Sequence, residues 1–493
     1  MGVIKFLVPR RDWVAADAVE RAYMAGLDEI PWRTRAEWNA TGLDVRRAES
    51  DSGNFFIPYA VQGHGELMLS TASLMERERP YHLDVELARG TLNRLLNQIS
   101  VWKGMGMAIG PEVVAATAGA REHLSWAATR QEEEESTDRA RAATRGALDA
   151  MTLLSSAFVE QALAARHHQA GKLSTLLGIN LSGLSPSNPL AAQIASTFNT
   201  ALVPLTWREI EINQGKPDFS LGDQQIDWCR TNGLKICSGP LLQIDKWSLP
   251  DWMYMWGEGD EESFRSCVAE HIEAVVSHFR GKVQLWQCAA GLNLNNEFEH
   301  GEEERLRLAV LTIETIRRVD PRSPVVLTID QPWGSFMSRE DYDLSPLHFA
   351  DALVRAELGL SGVGLSINAG YAPEGTEPRD LIEFARQMDR WSTLGLPLLV
   401  TLCVPSASGP DPQAHRGIRA LNYAEALSAE TQRAWSEKLL GVLLAKQPVQ
   451  GIIWNQLLDS QPHAFPHGGL IDAEGRAKPI LGLLESLRRQ HLV

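Results

Sequence analysis

The chain has 493 residues, 44% hydrophobic and 22% charged, an ordinary globular composition with ample material for a buried core. Acidic residues outnumber basic ones, 62 to 47, so the formal net charge is −15. That balance argues against sequence-independent nucleic-acid binding, which needs Lys and Arg to neutralise phosphates, and against polybasic attachment to a membrane surface.

The apolar start at Val3–Val8 is broken by Pro9, Arg10, Arg11 and Asp12, too early for a secretory leader. No run of 18 or more apolar residues is present to cross a bilayer. Cys229, Cys237, Cys267, Cys288 and Cys403 are odd in number and widely spaced, as in reduced thiols of a cytoplasmic protein. Cytoplasmic is therefore the expected location.

Residues 1–172 read as a smaller α+β domain. Short strand-like segments at Val3–Val8, Asn54–Val61 and Glu66–Thr71 lie between Gly, Pro and charged turns. Helical periodicity begins near Tyr81. Leu92, Leu95, Leu96 and Ile99 follow the i, i+3, i+4, i+7 spacing of one buried face. A second long helix is expected over Ala140–Arg166. The acidic run Glu132–Glu135 reads as a solvated helix face or turn, and His167-His168 as a solvated helix end.

Residues 173–493 alternate regularly. Strand candidates are Thr175–Leu181, Thr200–Leu205, Lys235–Ile244, Lys282–Cys288, Pro324–Ile329, Gly362–Ile367, Pro397–Val404 and Gly451–Trp454. A helical stretch follows each of them. Eight such rounds predict a parallel sheet closed into a (β/α)₈ TIM barrel. No G-x-G-x-x-G or P-loop follows the first strand, which disfavours a nucleotide-binding sheet.

A specific resemblance runs through the barrel. Phe198-Asn199, Trp207, Gln214-Gly215, Asp218-Phe219, Asn232-Gly233, Pro250-Asp251-Trp252, His271, Lys282-Val283, Trp286, Asp320-Pro321, Gly451 to Trp454 and Lys478-Pro479 fall in the order found in glycoside hydrolase family 10. The barrel thus resembles that xylanase family. The resemblance implies a retaining mechanism with two carboxylates about 5–5.5 Å apart. Yet Ala290 and Gly291 stand where the family has its Asn and acid/base Glu after the fourth strand, and Leu402 where it has its nucleophile. Neither Gly nor Leu can attack or carry a proton. The family's sugar-contacting third-strand histidines are also missing from Gly239–Asp245.

Relocated acids are the alternative source of chemistry. Asp245, Glu297, Asp330 and Asp459 all fall where a barrel mouth is expected, with Asp245 and Asp330 at the more rigid strand ends. Their bland counterpart is a solvated loop acid or a structural ion-pair partner. Trp is unusually frequent, 15 against 7 Tyr. Trp207, Trp247, Trp252, Trp286, Trp333, Tyr371 and Trp454, with Gln331, Asn368 and Asn455, form an aromatic and amide set suited to a neutral sugar. Trp286 and Trp454 could equally pack in the core. His463 and His467 bracket the last loop as further lining candidates.

No metal site or cofactor is implied. The leading expectation is a carbohydrate-binding, family-10-like protein without the standard retaining mechanism. A hydrolase with relocated acids is the alternative. A third reading makes the barrel a scaffold, with the N-terminal helices forming a homo-oligomer interface.

Overall fold

The computed structural model describes residues 2–184, 189–255, 261–423 and 426–493. Eight parallel strands close into a barrel: β1 (Leu176–Asn180), β2 (Thr200–Val203), β3 (Lys235–Ser238), β4 (Leu285–Ala290), β5 (Val325–Asp330), β6 (Gly362–Asn368), β7 (Leu398–Cys403) and β8 (Val449–Trp454). Each pairs with the next, and β8 returns to β1. All eight sequence-predicted strands are present. The predicted third strand is the most shortened: regular pairing ends at Ser238, and the chain then turns through Gly239-Pro240.

The barrel interior has a layered logic that the strand period of two makes visible. Leu202, Cys237, Val326, Leu399 and Ile453 form one apolar layer, with Leu176 and Leu285 packed against it. Strand β6 supplies Gly364 beside this layer, because a Cβ there would come within 2.4 Å of Thr328 Oγ1. Two residues further along the strands, the same inward-facing series turns polar: Gln287, Thr328, Ser366, Thr401 and Asn455. The apolar layer is the plug and the polar positions open the mouth.

The N-terminal region holds two four-stranded sheets. One orders Thr34–Trp38, Gly42–Arg47, Gly2–Leu7 and Tyr81–His82. The other orders Pro31–Trp32, Tyr23–Ala25, Asn54–Val61 and Gly65–Ser70. Three helices follow: α1 (Leu83–Gly104), α2 (Pro111–Thr129) and α3 (Glu135–Ala170). The sequence reading lacked α2, whose buried residues are Val113, Thr117, Ala120 and Ala127. Mostly small side chains leave little apolar periodicity to detect. Glu132 and Glu133 are exposed beside Arg79 and Arg130, and His167 stacks on His491 at the end of α3.

Apolar packing is continuous from Phe6 and Phe55 through Leu95 and Leu154 into Val363 and Val400. Helix α3 lies against the barrel helix Ala429–Ala445, where a Cβ on Gly441 would stand 3.3 Å from Val159. The polar part of the same contact is dense. Buried Arg21 meets Glu66 at 2.6 Å and Glu377 at 2.7 Å, Arg94 meets Asp380 at 3.1 Å, and Arg379 donates to the Tyr23 hydroxyl at 2.7 Å. These contacts tie the sheets and α1 to the segment after β6.

Burial also sets an acid limit. His271 is 4% exposed under the Trp207 ring, 4.4 Å away, and burial pushes its pKa down to about 3. Burial also lowers His82, His300, His415 and His491. In the unfolded chain a histidine takes its proton near pH 6.5, so below that the unfolded state binds more protons than the folded one. Stability therefore falls as pH drops from about 6.5 toward 3, by up to about 1.4 kcal/mol per pH unit for His271. Urea unfolding from pH 7 to pH 5 is expected to show this slope, and His271→Phe to make it shallower. An unchanged slope in the variant would remove His271 as a source.

Candidate site at the barrel mouth

The polar ends of the strands open into a cavity of about 1090 Å³. Asp330 ends β5 half-buried. Asn293 brackets its backbone, accepting the Asp330 N–H at 3.0 Å and donating to its carbonyl at 2.8 Å. Burial lifts the Asp330 carboxyl above the usual range, with Asp245 and Glu374 adding to the rise; a Ser366 hydrogen bond and the Arg416 charge oppose it. A carboxyl so placed has the environment of a proton donor.

Asp245 lies in the loop after β3. It accepts from the Arg416 guanidinium, from Gln243 Nε2 at 2.8 Å and from the Trp247 N–H at 3.0 Å. Arg416 also reaches Glu374 at 2.9 Å. Arg416 and Glu374 come from the loops after β7 and β6, and neither stands in a sequence pattern that marks it. Glu297 is exposed on the rim and accepts the Tyr254 hydroxyl at 3.0 Å.

Thus Asp245, Glu297 and Asp330 line one cavity, together with Trp247, Gln331, Asn368 and Asn455. The Asn455 amide donates to Asn368 Oδ1 at 3.4 Å. Trp247 is exposed at the rim with its ring 4.1 Å from that of His415. His463 also lines the cavity, held by Asp411 at 3.0 Å, while the His467 N–H donates to the same carboxylate at 2.8 Å.

The remaining sequence candidates lie elsewhere. Trp286 is fully buried at the start of β4, donating to Asp320 at 3.1 Å. Trp454 donates to the Gly468 carbonyl at 3.0 Å, and Tyr371 to the Pro466 carbonyl at 3.1 Å, both buried. Trp207 packs on His271 and donates to Glu211 at 2.9 Å, and Trp252 donates to the Glu211 carbonyl at 2.9 Å. Trp333 stands edge-on to Phe384. Asp459 is committed to Lys478 at 2.5 Å and to the Gly469 N–H at 2.7 Å. Each has a polar partner or a packing surface inside the protein, so none faces the cavity.

The two positions that the resemblance aligns with glutamates differ in placement. Gly291 follows β4 directly and lines the cavity with φ +71°, a conformation that favours glycine. A Cβ there would lie 3.1 Å from Asp330 Oδ2. Leu402 is fully buried in the surrounding apolar core, and its neighbour Thr401 is the β7 residue that lines the cavity. The polar cavity set could have been found in the sequence: Thr328 and Asp330, Ser366 and Asn368, and Thr401 recur at alternate positions in otherwise apolar strands.

Residues 174–305 match the family model for glycosyl hydrolase family 10. A β-1,4-xylanase of Dictyoglomus thermophilum is 32% identical over 115 residues, 23% of this chain and 30% of that protein. The anti-sigma-I factor RsgI6 of Acetivibrio thermocellus is 25% identical over 122 residues, 24% of this chain and 15% of that protein. The matches therefore span less than a third of these relatives' lengths. The crystal structure of xylanase 10B from Thermotoga maritima superposes with a TM-score of 0.50 at 16% identity, covering 66% of this chain and 98% of that one. The barrel is a divergent, family-10-like one. Carboxylates at the mouth stand on β5 and on loops, with glycine after β4 and threonine on the inner side of β7.

Proposed function

We propose that the barrel mouth binds a carbohydrate, and that it does so without the two-glutamate retaining device of xylanases. The observation that carries this reading is the chemistry of the cavity. Amides and hydroxyls of Asn180, Gln287, Thr328, Ser366, Asn368 and Asn455 line its base, and Trp247 stands at its rim. Such groups match sugar hydroxyls, and an exposed indole matches the C–H face of a pyranose ring. Gly291 after β4 and the buried Leu402 in β7, the two positions that the resemblance aligns with glutamates, favour binding over the standard retaining chemistry. The five cysteines are all free, in keeping with a reducing, cytoplasmic setting. Among the described residues no helix is long and apolar enough to cross a membrane.

Calorimetric titration with xylo-, cello-, manno- and chito-oligosaccharides, acetylated and deacetylated, tests the binding. At least one series is expected to bind, with an affinity that falls in a Trp247→Ala variant. No binding across the panel, or binding indifferent to Trp247, removes the proposal. Rapid release of reducing sugar from xylo-oligosaccharides removes its second half.

One observation favours hydrolysis with relocated acids as a second reading. Asp330 is held toward its protonated form beside Asp245, which pairs with Arg416. In that case Asp330→Asn lowers turnover by about 10²–10⁴-fold. Turnover untouched by the substitution excludes Asp330 as the acid.

A further inference from the structure

The charge lining the mouth narrows the ligand further. Seven carboxylates line the cavity among the described residues, against two arginines. Both arginines are already engaged. Arg416 lies between Asp245 and Glu374, and Arg208 meets Asp251 at 2.7 Å while donating to the Lys246 carbonyl at 2.6 Å. Glu209, Glu297 and Glu340 are left, and none forms an ion pair among the described residues; Asp330, which burial holds toward its protonated form, adds less to the charge. Asn295 donates to Glu340 at 3.1 Å and Tyr254 to Glu297, contacts that leave the charge in place.

A second observation comes from the base of the cavity. Gln287 is 5% exposed and lines the cavity, its Nε2 donates to Thr328 Oγ1, and its Oε1 has no hydrogen-bond partner. A buried acceptor left open costs about 1–3 kcal/mol unless a donor arrives. Carboxylates around the rim and a free acceptor at the base both call for N–H or O–H donors, and the rim adds a demand for positive charge. Among the described residues no three His, Cys, Asp or Glu side chains converge as a metal ion requires. The negative charge is spread along the cavity, which matches a ligand whose own charges are spaced along a chain.

We propose that the ligand of the mouth is an amino sugar, a glycan bearing free ammonium groups such as a β-1,4-linked glucosamine oligomer. This rests on the carbohydrate reading and refines it. Concave, low-dielectric walls of one sign concentrate the opposite charge. An acidic, uronate-bearing glycan is repelled by the same groups, and a neutral xylan gains nothing from them.

The test uses the full-length protein. Glucosamine hexamer, its fully N-acetylated counterpart and xylohexaose are titrated by calorimetry at low salt and at about 1 M salt, where charges are screened beyond about 3 Å. The glucosamine hexamer is expected to bind at least about tenfold more tightly than the acetylated one at low salt, and to lose that margin at high salt. A Glu209→Gln/Glu297→Gln variant is expected to lose most of the preference. A Glu132→Gln/Glu133→Gln variant, altered on a remote exposed turn, is expected to keep it. Equal or tighter binding of either neutral hexamer overturns the amino-sugar assignment and leaves the carbohydrate reading standing. Equal loss in the remote variant also overturns it, since attraction to the acidic surface then accounts for the preference. Binding of none of the three, or of any other carbohydrate, removes both.

Discussion

Arg21→Met is expected to lower the unfolding free energy by about 3–5 kcal/mol, the usual cost of leaving buried charges without their partner. Arg21 is 7% exposed and spans three carboxylates: Glu66 at 2.6 Å, Glu377 at 2.7 Å and Asp17 at 3.3 Å. Burial raises the Glu377 pKa, and Arg21 is the main group opposing the rise. Without it, Glu377 and Glu66 face one another in a dry site. The loss is expected to shrink from pH 7.5 to pH 5, because a Glu377 raised further takes a proton there. Arg21→Met/Glu377→Gln is expected to recover part of the stability. Chemical denaturation of the three proteins at both pH values checks this, and a loss under 1 kcal/mol for Arg21→Met would show that the network is solvated. The position matters because Glu377 sits in the segment after β6 that also carries Glu374 to the mouth. A weakened clamp is therefore expected to loosen one wall of the site.

The second large effect separates two tryptophans that look alike in the sequence. Trp286→Ala is expected to cost about 3–5 kcal/mol, the range for removing a large aromatic side chain from a packed core. Its ring is fully buried, and its removal also takes the indole N–H from Asp320. Trp247→Ala removes a ring that is 37% exposed and packed on His415, so its stability cost is expected to stay within about 1 kcal/mol. Carbohydrate affinity should follow the reverse order. Thermal melts and titrations of the two folded variants check both halves. A Trp286 variant of native stability, or a Trp247 variant of native affinity, would contradict the assignment of core and rim.

Much of the barrel was legible because its signals are local. Apolar runs such as Pro324–Ile329 and Pro397–Val404 carry strand character whatever packs on them, and the stretches between them carry a helical repeat. Helix α2 was not legible because Val113, Thr117, Ala120 and Ala127 bury little apolar area each, so no strong stripe forms. Asp245, Glu297 and Asp330 could be named from their places after strands. Arg416 could not, because its role depends on meeting Asp245, 171 residues earlier in the chain.

The Trp excess shows the same division. Counting tryptophans pointed to stacking surfaces, and the tertiary structure assigned most of the candidate rings to packing. Trp207, Trp286 and Trp454 found hydrogen-bond acceptors within the protein in Glu211, Asp320 and the Gly468 carbonyl, while Trp247 stayed at the rim. The sequence by itself determined the closed eight-stranded barrel, since strand and helix periods are properties of consecutive residues. Only the tertiary structure decided which acids share the mouth and which rings face it. Burial and ion pairing at a barrel mouth are settled between loops from different strands, and no single stretch of chain contains that information.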